Sequence, residues 1–205
     1  MVAKKQLRKI NTVLLKIEGG IKMNLLDEIL AANKEFLTHR DNSGQTHVSK
    51  VPQKQLAIFT CMDTRLVDFL EPAMGIKRGD AKIIKNAGNT LIDPLGGVIR
   101  SLVVAIFLLG VEEVLVIGHK DCGMANIDAP ALIRKMKDRG ISESLLDKME
   151  PELLEWLGAF KDPVNNVAKV VDMIRNSPLI PKDIPVHGMI FDPRDGHLEV
   201  VSEGY

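Results

Sequence analysis

Three short runs, QLAIFT at 55–60, AKIIKN at 81–86 and EVLVIGH at 113–119, constrain this chain more than any other feature. Each is β-branched or apolar over at least half of its length, as expected of a strand covered on both faces by helices. LVDFLEPAM follows the first run and PLGGVIRSLVVAIFLLG the second, both with helical character. Strand, helix, strand in that order makes a parallel sheet. The expected class is therefore α/β, a single domain with a central, mainly parallel β-sheet flanked by helices. ALIRKMKDRG, SESLLDKMEPELLEWLGAF and DPVNNVAKVVDMIRNS supply further helices, with caps around Ser142 and with Pro151 or Pro163 as punctuation. The chain closes on VHGMIFDPRDGHLEVV, which reads as two strands around a turn at Asp195 and Gly196.

Composition then excludes several classes. The 205 residues are 45% hydrophobic and 26% charged, enough for one ordinary core, and 27 basic residues balance 27 acidic ones. No net field draws the molecule to nucleic acid or to an anionic membrane, so neither is an expected partner. The longest uncharged apolar stretch, SLVVAIFLLGV from Ser101 to Val111, falls well short of the roughly 18 residues that span a bilayer and reads as a buried helix. Two cysteines make no disulfide framework, which points to a reducing, cytoplasmic setting. Residues 1–22 form a basic extension whose longest apolar run is VLL, too short for a secretory signal. The working domain is expected over 23–205. It opens with a helix in MNLLDEILAANKEFL, and a polar linker from Thr38 to Gln53 leads on to the first strand.

The first and third strands end on the chain's two cysteines. In parallel α/β sheets ligand sites gather at the carboxyl ends of strands. CMDTR sits at the end of the first, with Cys61, Asp63 and Arg65 on alternate residues, and HKDCGM at the end of the third, with His119 and Cys122. Two thiolates and an imidazole suit Zn²⁺, which keeps a fourth position open when three protein ligands hold it. Asp63 beside such an ion either binds it or is held off it. Arg65 can grip the carboxylate with two hydrogen bonds and leave it as an acceptor. Against this stand plainer readings: each cysteine as a small buried hydrophobe, Asp63 and Arg65 as a surface ion pair, and the two cysteines as a disulfide after metal loss. His39, His47, His187 and His197 read as solvent-exposed or structurally bonded. Gly96 and Gly97 open a helix with no phosphate-loop lysine, so nucleotide binding is not expected.

CMDTR and HKDC resemble the paired signatures Cys-x-Asp-x-Arg and His-x-x-Cys of the β-class carbonic anhydrases. The likeness to a compact prokaryotic branch of that family runs from about Met23 to Tyr205 through GIKRGDAKIIKNAGN, GVIRSLVVAIFLLGV and HGMIFDPRDGHLEVV. It implies reversible hydration of CO2 to bicarbonate and a proton by zinc-bound hydroxide. Cys61, His119 and Cys122 would hold one Zn²⁺ per chain, and Asp63 with Arg65 would be the catalytic orienting pair. Two thiolates donate more negative charge than imidazoles, so activity should rise on the alkaline side. Family members include sites in which the aspartate becomes the fourth zinc ligand; the open arrangement is favoured here. The resemblance also implies a homodimer or higher oligomer, with the N-terminal helix packing on the partner. A substrate-side role falls to Gly88 in NAGN, and more weakly to Asn89. Two departures stand out. Pro52 occupies the place of a substrate-binding glutamine, with Gln53 and Gln55 out of phase, and Met124 replaces a glycine after Cys122-Gly123. Alternative readings are hydrolysis of carbonyl sulfide or carbon disulfide, and a non-catalytic zinc or thiol-redox protein.

Overall fold

The structure, a computed structural model, describes residues 24–39, 48–158, 160 and 162–205. They divide into two units, Met1–His47 and Val48–Tyr205. In the first lies helix α1, Leu25–His39, begun by the Asn24 side chain accepting from the Asp27 N–H at 3.0 Å, with Asp27 and Glu28 in its first turn. Leu25, Leu26, Ile29, Leu30, Phe36 and Leu37 on it are all exposed. The basic extension 1–22, His47 and the middle of the polar linker lie outside the described residues.

The second unit carries strands β1 (Leu56–Cys61), β2 (Ala81–Asn86), β3 (Glu113–His119), β4 (Val186–Phe191) and β5 (Leu198–Ser202). They form one sheet in the order β2-β1-β3-β4-β5, parallel except for the antiparallel β4-β5 pair. Helices α2 (Leu70–Ala73), α3 (Gly97–Leu109), α4 (Ala129–Asp138), α5 (Glu143–Gly158) and α6 (Pro163–Arg175) complete it. All three apolar runs are strands, but only β1 and most of β3 are buried as expected; β2, at the edge of the sheet where one side has no neighbouring strand, has no buried residue and leaves Ile83 exposed. Every residue of β1 is buried; Ala57 and Phe59 join the core that includes Val98, Ile99 and Leu102 of α3 and Val167 and Val171 of α6, whereas Leu56 and Ile58 join Leu66, Leu70 and Phe191. Asp162 caps α6 by accepting from the Asn165 N–H at 2.8 Å, with Pro163 at its first position. Close packing of α6 on the sheet relies on Gly118 in β3 and Gly188 in β4, where an added Cβ would come within 2.7 Å of Val167.

Three local expectations are corrected. LVDFLEPAM is no continuous helix: a 3₁₀ turn at Thr64–Leu66 and the single turn of α2 are separated at Asp68, whose φ of 53° breaks any helix. Helix α3, although its apolar sequence would suit burial all round, is buried on one side only, with Val98, Ile99, Leu102 and Ala105 packed against the sheet and Val104, Phe107 and Leu108 exposed. Pro151 lies inside α5 and does not end it; Pro163 does open α6. Among the described residues no helix is long and apolar enough to cross a membrane.

The topology positions the site. From β1 the chain crosses to β2 on one side and returns to set β3 on the other, so the strand order reverses at β1 and β3. The crevice beyond the carboxyl ends of two such strands is where open α/β sheets bind ligands. Cys61 ends β1 and His119 ends β3.

Candidate metal centre

Cys61, His119 and Cys122 are each at most 4% exposed, and their ligand atoms lie within 4.8 Å of one another, with the two Sγ atoms 3.9 Å apart. The sequence brings them together in two ways. The apolar strands carry Cys61 and His119 to the same edge, and the tight loop after β3, with Asp121 at a φ of 53°, turns Cys122 back beside His119. His119 Nδ1 is 2.9 Å from the Lys120 carbonyl, which accepts its proton and leaves Nε2 as the lone-pair nitrogen. That Nε2 is buried with no hydrogen-bond partner. A buried, unpartnered nitrogen is unfavourable in an apolar surround, and beside two thiols it has the surroundings of a metal ligand. The residues fit a thiophilic metal.

Charge is already arranged for one. The hydrogen bond from Cys122 holds the Cys61 thiol far below its ordinary range, against burial and with help from His119 and the Gly88 N–H. The same contact, with burial, pushes Cys122 up. Burial alone would lower His119, but Cys61, the Lys120 carbonyl and Asp63 raise it on balance. Of the two sulfurs, Cys61 is therefore the one that more readily carries negative charge.

Gly88 belongs to the same centre. It sits in a 3₁₀ turn, Ala87–Asn89, with a φ of 72°, and its N–H donates to Cys61 Sγ at 3.3 Å. A Cβ there would come 2.9 Å from Met124 Cγ and 3.0 Å from Phe160 Cδ2. Asn86 closes this turn from below, exchanging hydrogen bonds with Thr90 at 2.8 and 3.0 Å, and Asn166 of α6 donates to the carbonyls of Gly88 and Asn89. Asn86 opens the NAGN segment noted in the sequence; the support from Asn166 escaped the sequence reading, since a lone asparagine on a helix carries no local signal. Asn89 is buried, with its side-chain nitrogen unpartnered.

Asp63 and Arg65 form the grip expected of them. The Arg65 backbone N–H and Nε donate to Asp63 Oδ1 at 2.9 and 3.0 Å, and Nη2 donates to Oδ2 at 2.9 Å. This hydrogen bonding holds the Asp63 carboxyl at about 2, while Oδ2 stands 3.7 Å from His119 Nε2. The guanidinium also reaches the other loop: Nη1 donates to Asp121 Oδ2 at 2.9 Å and Nη2 to the Asp121 carbonyl at 2.8 Å. Asp121 was not singled out from sequence, where it reads as a spacer between His119 and Cys122.

Beside the cluster lies an open cleft of about 330 Å³ lined by Met62, Asp63, Ala87, Gly88 and Met124, and next to it an apolar cavity of about 480 Å³ that shares Ala87 and Met124. Gln53 and Gln55 lie ahead of β1, at the opposite end of the strand, where the Gln55 carbonyl accepts from Glu112 and Glu113. His187 is buried and structural, its Nδ1 accepting from the Gly204 N–H at 3.1 Å with Glu113 Oε1 3.1 Å from Nε2; His39 and His197 are exposed.

Comparison with known proteins agrees with this geometry. The carbonic anhydrase family model matches residues 56–198. YvdA of Bacillus subtilis, whose name provisionally makes it a carbonic anhydrase, is 43% identical over 187 residues, covering 90% of this chain and 94% of YvdA. The solved structure of β-carbonic anhydrase isoform I from Trichomonas vaginalis superposes with a TM-score of 0.85 at 41% identity, over 89% of this chain and 100% of its own. The carbon disulfide hydrolase of Acidithiobacillus thiooxidans is 33% identical over 157 residues, 71% of this chain and 76% of that enzyme. By its sheet order, its Cys-His-Cys cluster and these matches, the chain belongs to the β-class carbonic anhydrase family.

Proposed function

We propose that this protein catalyses the reversible hydration of CO2 to bicarbonate and a proton, using one Zn²⁺ per chain held by Cys61, His119 and Cys122. The observation that carries the reading is the buried trio with an unpartnered His119 Nε2, beside a carboxylate locked by arginine. Two sulfurs and one nitrogen would suit Zn²⁺, three protein donors being the number that a catalytic zinc site uses. When bound, Zn²⁺ supplies Lewis-acid activation of water near neutral pH. The chain's own groups do the rest.

Asp63 is a carboxylate throughout the neutral range, because Arg65 holds its carboxyl at about 2. It is thus acceptor-only, and with both oxygens engaged by Arg65 its spare lone pair on Oδ2 orients the attacking water by accepting one hydrogen bond. Arg65 keeps that carboxylate in place, catalytic with it as a pair. Gly88 supports the Cys61 sulfur through its N–H and lines the substrate side of the cleft. Met62, Ala87 and Met124 offer CO2 a largely apolar wall, and a neutral linear molecule has little polar surface to desolvate there.

The functional unit is taken as 23–205, with 1–22 as an extension, and a cytoplasmic setting follows from two thiols that must stay reduced to ligate. Assembly into a homodimer or higher oligomer is supported by apolar residues left exposed on α1, such as Leu26 and Phe36, and on α3 and β2, where Phe107, Leu108 and Ile83 face outward. The match to a carbon disulfide hydrolase favours a second reading, in which the same site hydrolyses carbon disulfide or carbonyl sulfide, since a cleft of this kind discriminates weakly among small linear molecules.

Zinc content and CO2 hydration measured on one preparation, wild type beside Asp63→Ala, test the proposal. One zinc per chain with fast hydration, rising toward alkaline pH and falling in the variant, is the expected result. Zinc without hydration moves the assignment to the sulfur analogues or to a structural role, and a preparation that binds no zinc overturns it.

A further inference from the structure

Arg65 serves two loops at once. A guanidinium has five N–H donors. Nε and one N–H of Nη2 go to the two oxygens of Asp63, at 3.0 and 2.9 Å, and one N–H of Nη1 with the second of Nη2 go to Asp121 Oδ2 and the Asp121 carbonyl, at 2.9 and 2.8 Å. The Arg65 side chain is 42% exposed, so packing does not fix its plane. Hydrogen bonds do, and those from the β3 side all come from one residue. Asp121 can present carboxylate and carbonyl to the same guanidinium because its φ of 53° folds the backbone into the left-handed region, which an aspartate tolerates better than most side chains.

The consequence reaches the metal cluster. Asp63 Oδ2 stands 3.7 Å from His119 Nε2, close enough that a modest rotation of the carboxylate would turn it from an acceptor beside the metal position into a ligand. Its engagement with Arg65 resists that rotation, and Arg65 is itself aligned by Asp121. We propose that Asp121 is a positioning residue that, acting through Arg65, keeps Asp63 facing the metal position without binding there, and so keeps that position open to water. The inference rests on the metal-site reading above.

Cobalt(II) substitution tests it, because the visible spectrum of a Co²⁺ site reports its donor set and whether a position exchanges with an added anion such as thiocyanate. Asp121→Gly is the decisive variant, as glycine adopts the left-handed backbone freely and only the side chain is lost. Wild-type cobalt protein should show thiolate charge transfer and a spectrum that shifts with thiocyanate. Asp121→Gly should lose that shift, and hydration by the zinc form should fall about 10-fold or more through kcat. Asp121→Asn, which keeps an acceptor oxygen for Nη1, should stay close to wild type, and adding Asp63→Ala to Asp121→Gly should restore the thiocyanate response. If Asp121→Gly binds thiocyanate as wild type does, Asp121 has no positioning role. If wild-type protein shows no thiolate-to-cobalt band, the metal reading itself fails, and the inference with it.

Discussion

Replacing Gly88 with alanine probes the tightest point of the site. Two costs are legible in the structure. At φ 72° and ψ 14° the residue occupies the left-handed region, which for a residue with a Cβ is unfavourable by about 1–2 kcal/mol. The new methyl would also lie 2.9 Å from Met124 Cγ, 3.1 Å from Met124 Cβ and 3.0 Å from Phe160 Cδ2. Phe160 is buried and Met124 Cβ is anchored to the backbone, so neither contact is relieved by a loose chain end, and overpacking of this kind costs about 1–3 kcal/mol. Together the variant should lose roughly 2–5 kcal/mol, or about 4–20 °C in Tm for a domain of this size.

Urea and thermal unfolding at fixed zinc concentration measure that loss. Gly123→Ala is the control: no atom lies within 4 Å of its added methyl and its backbone is not left-handed, so it should stay within about 0.5 kcal/mol of wild type. A Met124→Ala background removes the 2.9 Å contact with Met124 Cγ but keeps Met124 Cβ and Phe160, so it should relieve only part of the steric share, giving a coupling of about 0.5 kcal/mol or more while the backbone share remains. The variant should also bind zinc less tightly, because displacing Gly88 withdraws its N–H from Cys61 Sγ. A loss below about 1 kcal/mol with unchanged zinc affinity would refute both the close-approach and the backbone argument.

Three further outcomes are expected. Arg65→Lys cannot make the two-pronged grip on Asp63, so hydration should fall about 10- to 100-fold while unfolding midpoints barely move, this pair being partly exposed; equal losses in both would show a structural role instead. Asp192 is held below the ordinary carboxylate range, chiefly by the Arg194 side chain, so its stabilising contribution is complete above the unfolded-state pKa near 4 and is lost as pH falls toward the depressed folded value. The gap in urea midpoint between wild type and Asp192→Asn should thus be constant from neutrality to about pH 5 and close below about pH 4, and a gap that widens in acid contradicts the assignment. Phe107→Glu with Leu108→Glu should lower the oligomer order seen by light scattering if the exposed side of α3 is an interface, whereas unchanged mass would remove that face from consideration.

What the sequence revealed follows from how each feature is held. Strands β1 and β3 were legible because both of their faces are covered, which leaves uninterrupted runs such as LAIFTC, and strand ends carry Cys61 and His119 to one edge by topology alone. The exposed side of α3 was hidden by the same logic: Val104, Phe107 and Leu108 are as apolar as the residues packed inward, so periodicity could not tell a core face from a bare one. The break at Asp68 rests on a backbone angle that its side chain does not announce. Asp121 was missed for a related reason, since its role depends on a guanidinium 56 residues away and on a turn that only the folded loop displays.

The chain contains a second instance of the pattern that drew attention to Asp63. Asp192-Pro193-Arg194, directly after β4, repeats its hydrogen bonds: the Arg194 backbone N–H and Nε donate to Asp192 Oδ1 at 3.0 and 3.1 Å, and Nη2 to Oδ2 at 2.8 Å. Asp-x-Arg at a strand end is therefore first a local device, a carboxylate that caps its own turn and is gripped by the arginine two residues on. Neighbours decide what it does. Asp192 is 2% exposed and faces Lys120 Nζ at 3.4 Å, so its charge is spent on tying the loop after β3 to the hairpin. Asp63 keeps an oxygen 3.7 Å from the unpartnered nitrogen of His119, and its arginine is shared with the loop that bears Cys122. The two motifs are nearly indistinguishable as sequence; the reversal of strand order between β1 and β3 sets one of them against a cluster of metal-ligand donors and leaves the other as structure.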